Sequence, residues 1–547
     1  MQRPLAIPAG TLPSFPLPTA PSAPPKSVLA MQGIDKALVH AEVISPASVI
    51  PLSTAEQDPY NSGLSLKTRR RLFDLGISEL FAVQTTLLPF LIRRSWSLYT
   101  PYSAPRDVCV SAPTGSGKTL AYVLPILEVL SNRIVTRLRA LIVLPTRDLV
   151  TQVRETFEAV GKGRGLKIGT ATGQHSFAHE QAQLVSEIDS GLQGGSSKVD
   201  ILICTPGRLM DHLNGTPNFS LQHLRFLVID EADRLLSQSF QGWLAQVLTA
   251  IHWRPSESSS PASRLSSEDT CQPRNCDSLA PVCLDFEHRG YFQVDVDEQR
   301  GFSCQKLLFS ATLTRDPGKL ASLGLRDPKY FVVQSQPEGG SGDAPSHLIS
   351  ERFAMPTTLT EYMVICEPSQ KPLMLLHLLY NRNIRNALIF TKSSESTTRL
   401  VFVLECFEKS RATERARVAV RAYSSDLPAG ERKTILEKFK AQEVHVLICS
   451  DLISRGIDIS HVSHVVSYDT PVDMRKYVHR VGRTARAGRD GDAWTLVEEQ
   501  EARYFKAMLR GHDHLQKVKR EKVARSEIQP FMENYQVRSV DTEGLCE

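Results

Sequence analysis

The stretch SAPTGSGKTLAYVLPIL, residues 111–127, follows a short apolar run and carries Gly115, Gly117, Lys118 and Thr119. Glycines without a Cβ let backbone N–H groups approach phosphate oxygens, and the helix start that follows adds unpaired donors. In such a cradle, built here from Ala112, Pro113, Thr114, Gly115, Ser116 and Gly117, Lys118 reaches the β- and γ-phosphates of a nucleotide and Thr119 offers its hydroxyl to Mg²⁺. The generic pattern has glycine where this chain has Ala112. Taken alone, the loop also reads as a Gly-rich turn before a helix.

The run FLVIDEAD, residues 226–233, sets Asp230 and Glu231 at the tip of an apolar strand. A carboxylate there is costly unless it serves an ion or a proton, a helix cap being the plainer use. Asp230 suits a water-bridged Mg²⁺, which makes Thr119 and Asp230 the expected metal set. Glu231 is spaced to polarise an attacking water.

YVHRVGRTARAGRDG, residues 477–491, stacks Arg480, Arg483, Arg486 and Arg489 at three-residue spacing. Such a stack suits nucleic acid, a solvated helix face, or a reaction that develops negative charge. A phosphate-binding loop supplies the last: arginines brought to the γ-phosphate contribute roughly 10³–10⁵ in rate.

Holding these groups in place requires strands that end where they begin. DVCVSA, ALIVLPT, DILICTP, FLVIDEA and KLLFSAT read as buried parallel strands with functional residues at their C-terminal ends. After Phe353 the alternation with helical stretches restarts: ALIFTKS, VAVRAYSS, VLICSDL and HVVSYDTP. The pattern predicts two doubly wound α/β domains. LSLKTRRRLFDLGI, residues 64–77, reads as a helix stopped by glycine. Its Lys67, Arg69, Arg70 and Arg71 form a wet face or, alternatively, a nuclear address.

A net charge of +5 over 547 residues permits an anionic partner without requiring one. No apolar run nears the ~20 residues that span a bilayer, and no secretory signal is expected. The ten cysteines form no C-x-x-C, which points to a reduced, intracellular setting. The expected divisions are a Pro-rich, disordered N-terminal extension (1–61), a first domain (62–335), a linker (336–350), a second domain (351–512) and a basic tail (513–547). A Ser-rich and then acidic insertion, 253–300, interrupts the first domain. Its cysteines, with Cys304, are too irregularly spaced for a good zinc site.

Seven stretches, APTGSGKT, PTRDLV, TPGRL, DEAD, SAT, SDLISRGID and HRVGRTAR, stand in the order found in DEAD-box ATP-dependent RNA helicases. From Gly63 to His512 the chain resembles that family. SELFAVQ, SATLTRDPGKLASLGLRDP and SYDTPVDMRKYVHRVGRTARAGR resemble its branch acting in nucleolar assembly of the large ribosomal subunit.

The resemblance implies tandem RecA-like domains with a cleft between them, ATP and Mg²⁺ as cofactors, and RNA, here pre-ribosomal RNA with its assembly proteins, as partner. It implies a monomeric catalytic unit in the nucleolus. Lys118, Asp230, Glu231, Arg483 and Arg486 would be catalytic, with Gln84 and Asp458 on the base and ribose. Ser310, Thr312 and Asp233 would couple the carboxylates to domain closure, and His479 and Arg480 would couple motifs within the second domain. An RNA strand would run past Pro145, Thr146, Arg147, Gly173, Thr205 and Arg208, then Thr391, Ser450 and Asp451. Backbone amides, hydroxyls and single arginines suit sugar–phosphate contacts that carry no base code.

Some positions depart from the family pattern. Leu80 and Phe81 replace the Pro-Thr pair near Gln84, which loosens the expectation of strict ATP preference, and the upstream aromatic is Tyr60 or Phe73. Ala429 replaces the glutamine that normally precedes Arg432, and Asp148 stands where glutamate is usual. An RNA-dependent ATPase is the first expectation. An ATP-regulated RNA clamp with little turnover is the alternative, and a DNA helicase a third.

Overall fold

The computed structural model describes residues 41–93, 105–113, 115–186, 196–237, 242–251, 304–311, 323–333, 355–356, 358–410, 417–424, 427–451, 462–485, 489–512 and 514–532. The Pro-rich run, the 253–300 insertion and the 336–350 linker lie outside them, as do Thr114, Thr312, Asp458 and Arg486.

Two parallel sheets carry the chain. The first has eight strands: β1 (Glu42–Ile44), β2 (Val108–Ser111), β3 (Ala140–Val143), β4 (Ile168–Ala171), β5 (Ile201–Cys204), β6 (Phe226–Asp230), β7 (Gln305–Ser310) and β8 (Lys329–Val333). Their order is β1-β8-β2-β7-β6-β3-β5-β4. Helices α1 (Leu66–Asp74), α2 (Ala82–Arg93), α3 (Lys118–Leu130), α4 (Arg147–Gly161), α5 (Phe177–Leu184), α6 (Pro206–Gly215), α7 (Ala232–Ser237) and α8 (Trp243–Ile251) accompany it. Strands β3, β5 and β6 are buried throughout, as helices on both faces require.

The second sheet holds β9 (Leu359–Cys366), β10 (Ala387–Thr391), β11 (Val420–Tyr423), β12 (Val446–Ser450), β13 (His464–Ser467), β14 (Gly491–Glu498) and β15 (Val518–Glu521). It runs β11-β12-β10-β13-β14-β9-β15. Its helices are α9 (Lys371–Tyr380), α10 (Ser394–Ser410), α11 (Ala429–Lys440), α12 (Met474–Val481) and α13 (Glu499–Gly511).

Both outer boundaries differ from the sequence expectation. Residues 41–61 are not a loose extension: β1 pairs with β8, and Ile50–Pro51 pairs antiparallel with Glu79–Leu80. Residues 514–532 are not a free tail. β15 pairs in parallel with β9, and Ile528 and Phe531 enter the second domain's core beside Tyr380 and Phe407. Short, partly exposed edge strands hid both, in a Pro- and Ser-containing segment at one end and a basic one at the other, because an edge strand can expose alternate residues to water.

The helix at 64–77 forms as read. Ser65 caps it, and Gly76 (φ 78°) ends it in a conformation glycine adopts freely. Of its basic residues, Lys67 and Arg70 are exposed as a wet face requires, whereas Arg69 and Arg71, with the Lys67 ammonium, also fasten neighbouring segments. Arg69 is buried and donates to the carbonyls of Ser53, Ala55 and Glu56. Arg71 donates to Ala159 O (2.7 Å) and Lys67 to Gly163 O (2.7 Å). Cys304 is a buried free thiol whose pKa burial pushes up to about 12, and Cys271, Cys276 and Cys283 lie outside the described residues.

Candidate active site

Strand β2 delivers the chain to the phosphate loop. Gly115 (φ 85°) and Gly117 (φ 79°) are both left-handed, and Gly117 leads directly into α3. Ala112 is not left-handed, and its N–H is spent on Ser310 O (3.0 Å), so replacing the usual glycine strains nothing. A Cβ on Gly117 would collide with Gln84. That glutamine is buried. Its Oε1 accepts from Phe81 N–H (2.9 Å) at the start of its own helix, and its Nε2 donates to Gly117 O (3.1 Å), so one end of the amide is anchored locally while the other braces the loop. The Lys118 ammonium donates to Ala112 O (2.8 Å) and Pro113 O (2.9 Å). Burial pulls its pKa down, against the carboxylates of Asp230, Glu231 and Asp233.

Those carboxylates leave the end of β6. Burial raises the Asp230 pKa to about 6, while Lys118 and hydrogen bonds from Glu231 N–H and the Tyr122 hydroxyl resist the rise. The Tyr122 bond measures 3.1 Å to Oδ2, and that from Glu231 N–H 2.9 Å to Oδ1. Glu231 holds φ 55°, an uncommon value for a side-chain-bearing residue, and its Oε2 is buried without a protein partner. A water or a reacting group satisfies such an atom.

Asp233 joins the two domains. Its Oδ1 accepts from Ser310 Oγ (2.8 Å) at the end of β7, and its Oδ2 lies 3.3 Å from His479 Nε2 on α12. The reading of His479 as a coupler within the second domain is thereby corrected, since its ring reaches the first domain. Arg480 does act within the second: its guanidinium forks onto Asp451 (2.6 and 2.8 Å) and donates to Asp469 O. Arg483 is buried, its Nε donating to His479 O (3.3 Å). A cleft of about 1100 Å³ gathers Gly115, Gly117, Lys118, Thr119, Asp230 and Glu231 opposite Arg483. Arg489, the last arginine of the stack and outside the HRVGRTAR motif, lines the same cleft.

The surface expected to meet RNA is assembled unevenly. Arg147 is exposed at the start of α4, whose N-cap is Thr146, and Pro145 is half-buried just before it. A Cβ on Gly173 (φ 72°) would stand 3.6 Å from Arg147 Nη2 and 3.8 Å from Arg208 Cδ, so these three residues form one patch. Thr205 precedes α6 and caps no N–H with its side chain, leaving the helix's N-terminal donors available. In the second domain the expected contacts are withdrawn. The Thr391 side chain is fully buried and bonded to Thr397 Oγ1 (2.7 Å) and Ser393 O (3.1 Å). Ser450 is buried, and Asp451 is committed to Arg480.

Sequence reasoning missed Tyr122, whose signal was one hydroxyl within the otherwise apolar run Leu120–Leu127. It also missed Glu180 and His212, which hold the Gly173–Arg208 patch from behind.

Two parallel-sheet domains facing each other across a phosphate loop, buried carboxylates and arginine define a two-domain RecA-like nucleotide hydrolase. Solved structures share this fold. S. cerevisiae Dbp5 bound to RNA and ADP BeF3 matches with TM-score 0.57 at 21% identity, over 87% of this chain and 97% of that one. Mss116p bound to ssRNA and AMP-PNP matches with TM-score 0.63 at 21% identity, over 90% and 85%. The DEAD/DEAH box helicase family model matches residues 96–320, and that of the helicase conserved C-terminal domain residues 370–488. ATP-dependent RNA helicase dbp6 of Schizosaccharomyces pombe is 40% identical over 88% of this chain and 76% of its own length. ATP-dependent RNA helicase DDX51 of Danio rerio is 41% identical over 84% and 65%. The chain belongs to the DEAD-box ATP-dependent RNA helicases.

Proposed function

We propose that this protein couples RNA binding to ATP hydrolysis by closing its two domains, and so separates short duplexes or remodels RNA–protein complexes. The observation that carries the reading is Asp233, held by Ser310 on one side and His479 on the other. A nucleotide bound beside it senses whether the second domain is docked.

Lys118 and Arg483 stabilise the charge that develops on the γ-phosphoryl oxygens, and Arg486 joins them by its motif position. Glu231, with an unsatisfied buried oxygen, orients the attacking water and accepts its proton. The hydroxyl of Thr119 and the carboxylate of Asp230 are hard oxygen donors that suit Mg²⁺. When bound, that ion neutralises phosphate charge. Thr114 in the loop, Asp458 near the ribose and Thr312 in the coupling set are assigned on motif position. Because the Gln84 amide is anchored on Phe81 N–H and donates to Gly117 O, its first role is to hold Gly117, and reading of adenine is secondary.

RNA runs along Pro145, Thr146, Arg147, Gly173, Thr205 and Arg208. Thr391, Ser450 and Asp451 shape the second domain's side of the track from within. The long stretches shared with the large-subunit branch support pre-ribosomal RNA as the target, assembly proteins as partners and the nucleolus as the site of action.

The test is ATP hydrolysis with and without single-stranded RNA, for the wild type and Glu231→Gln. RNA stimulation of the wild type, with a dead variant that still binds RNA in the presence of ATP, is the expected result. No turnover under any RNA would turn the catalytic assignments into those of an ATP-regulated clamp.

A further inference from the structure

Glu180 is almost wholly buried on α5, yet it carries a full set of polar partners. Its Oε1 accepts from Thr172 N–H (3.2 Å) and Gly173 N–H (2.9 Å). Its Oε2 accepts from Arg208 Nε (2.6 Å) and lies 3.1 Å from His212 Nε2. Burial alone would raise the pKa of this carboxyl. The bonds from Arg208, His212, Gly173 and Thr172 outweigh burial and hold it below the ordinary value. Two segments distant in sequence, the Gly173 turn and the start of α6, are thus fixed by one side chain.

The arrangement has a second layer. Phe177, one turn before Glu180, stacks on the His212 ring (4.8 Å, 18°) and lies under the Arg208 guanidinium (4.9 Å). The other nitrogen of His212, Nδ1, meets Thr216 Oγ1 at 2.8 Å. Helices α5 and α6 therefore dock through Phe177 and Glu180 on one and Arg208 and His212 on the other. Arg208 itself is heavily committed, since Nη1 reaches Asp211 (3.3 Å) and Nη2 reaches His175 O (3.4 Å). A guanidinium has five N–H groups, and with three engaged Arg208 presents at most two, in a fixed direction.

We propose that Glu180, backed by His212 and Phe177, is a positioning residue for RNA. It sets the Gly173 amide turn and the Arg208 fork in the geometry that receives a sugar–phosphate backbone. A free arginine would offer charge in any direction. This one offers an oriented contact, so the gain is in pre-organisation. The proposal rests on the RNA track described above.

The experiment uses the full chain and homopolymeric single-stranded RNA, measuring the RNA concentration for half-maximal ATP turnover, kcat at saturating RNA and the thermal midpoint. Glu180→Gln keeps the shape and loses the charge. It is expected to raise half-saturating RNA by about tenfold, with kcat changed less than about twofold. Arg208→Lys, which keeps the charge without the Nε–H, should give a similar rise without touching the buried carboxylate. The double variant should be little worse than either single one, because both break the same bond. A rise in half-saturation for Arg208→Lys but not for Glu180→Gln overturns the positioning role while leaving the RNA track intact. A fall in thermal midpoint and kcat with unchanged half-saturation makes Glu180 merely structural. If neither Arg208→Lys nor Arg147→Ala alters RNA response, the track itself is wrong, and the role of Glu180 falls with it.

Discussion

Arg432 on α11 donates to Asp148 on α4 at 2.9 Å, an ion pair that spans the cleft between the two domains. Both side chains are more than two-thirds buried. Asp148 stands where the family has glutamate, and Arg432 is the arginine of the pair whose glutamine is replaced by Ala429. Burial raises the Asp148 pKa, and Arg432 is the largest influence opposing that rise. Arg432→Ala and Asp148→Asn are each expected to weaken RNA-stimulated ATP turnover several-fold. A double-mutant cycle should return a coupling of roughly 1 kcal/mol. Additive effects would mean that the pair does not contribute to closure.

His479 and Asp233 transmit docking to the nucleotide site, so cutting their link should uncouple the reaction from RNA. His479→Ala is expected to retain nucleotide binding and to lose roughly tenfold or more of RNA stimulation. Equilibrium binding of a fluorescent ATP analogue, paired with steady-state turnover, checks both halves. Loss of nucleotide binding itself would contradict the assignment.

Asp230 should make turnover acid-sensitive. It must be ionised to serve, and burial holds its pKa in the free protein at about 6, so kcat/KM for ATP is expected to drop as pH falls through that value. Tyr122→Phe removes one bond to the carboxylate and should move this limb to higher pH. The stability effect has the opposite sense. A carboxyl with a raised folded pKa keeps a proton that the unfolded chain releases earlier, so stability falls as pH rises from the ordinary carboxylate value of 3.8 to about 6. Asp230→Asn is therefore expected to raise the ligand-free thermal midpoint near neutral pH while abolishing turnover. A lower midpoint would show that the ionised carboxylate is compensated.

The C-terminal segment should behave as part of the second domain. His514 Nε2 lies 2.9 Å from a buried Glu361, which also accepts from the Tyr477 hydroxyl on α12. Phe531→Ala is expected to cost about 2–4 kcal/mol of stability, read by denaturant unfolding of that domain. A cost near zero would restore the free-tail reading.

How much of this the sequence disclosed follows from which forces leave local marks. Fully buried strands such as Leu141–Val143 or Leu447–Cys449 write themselves as unbroken apolar runs, and the loop glycines declare their backbone. Edge strand β15 reads VKRE and looks like solvated charge, because its partner β9 lies at the opposite end of the second domain's sequence. The same distance effect concealed Glu180 and the reach of His479. A buried ion or hydrogen-bond network is specified by where the elements meet, and no window of the sequence contains both partners. Thr391 illustrates the reverse error. Its motif position suggested contact with RNA, but its hydroxyl is used up three-fold inside its own domain.

The pairing of β1 with β8 has a consequence for how the protein is made. β8 sits between β1 and β2, so β1 has no sheet neighbour, and β2 lacks one of its two, until Lys329–Val333 has been synthesised. At roughly 5–20 residues per second, the interval between the two strands leaving the ribosome is roughly 15–60 s. Throughout that time β2, the strand that leads into the phosphate loop, keeps an open edge on the side that β8 will fill, even after β7 and its Ser310 have paired with the other side. Nascent chains stalled before residue 329 should therefore be captured by chaperones that bind exposed strand edges, and release should coincide with the arrival of β8.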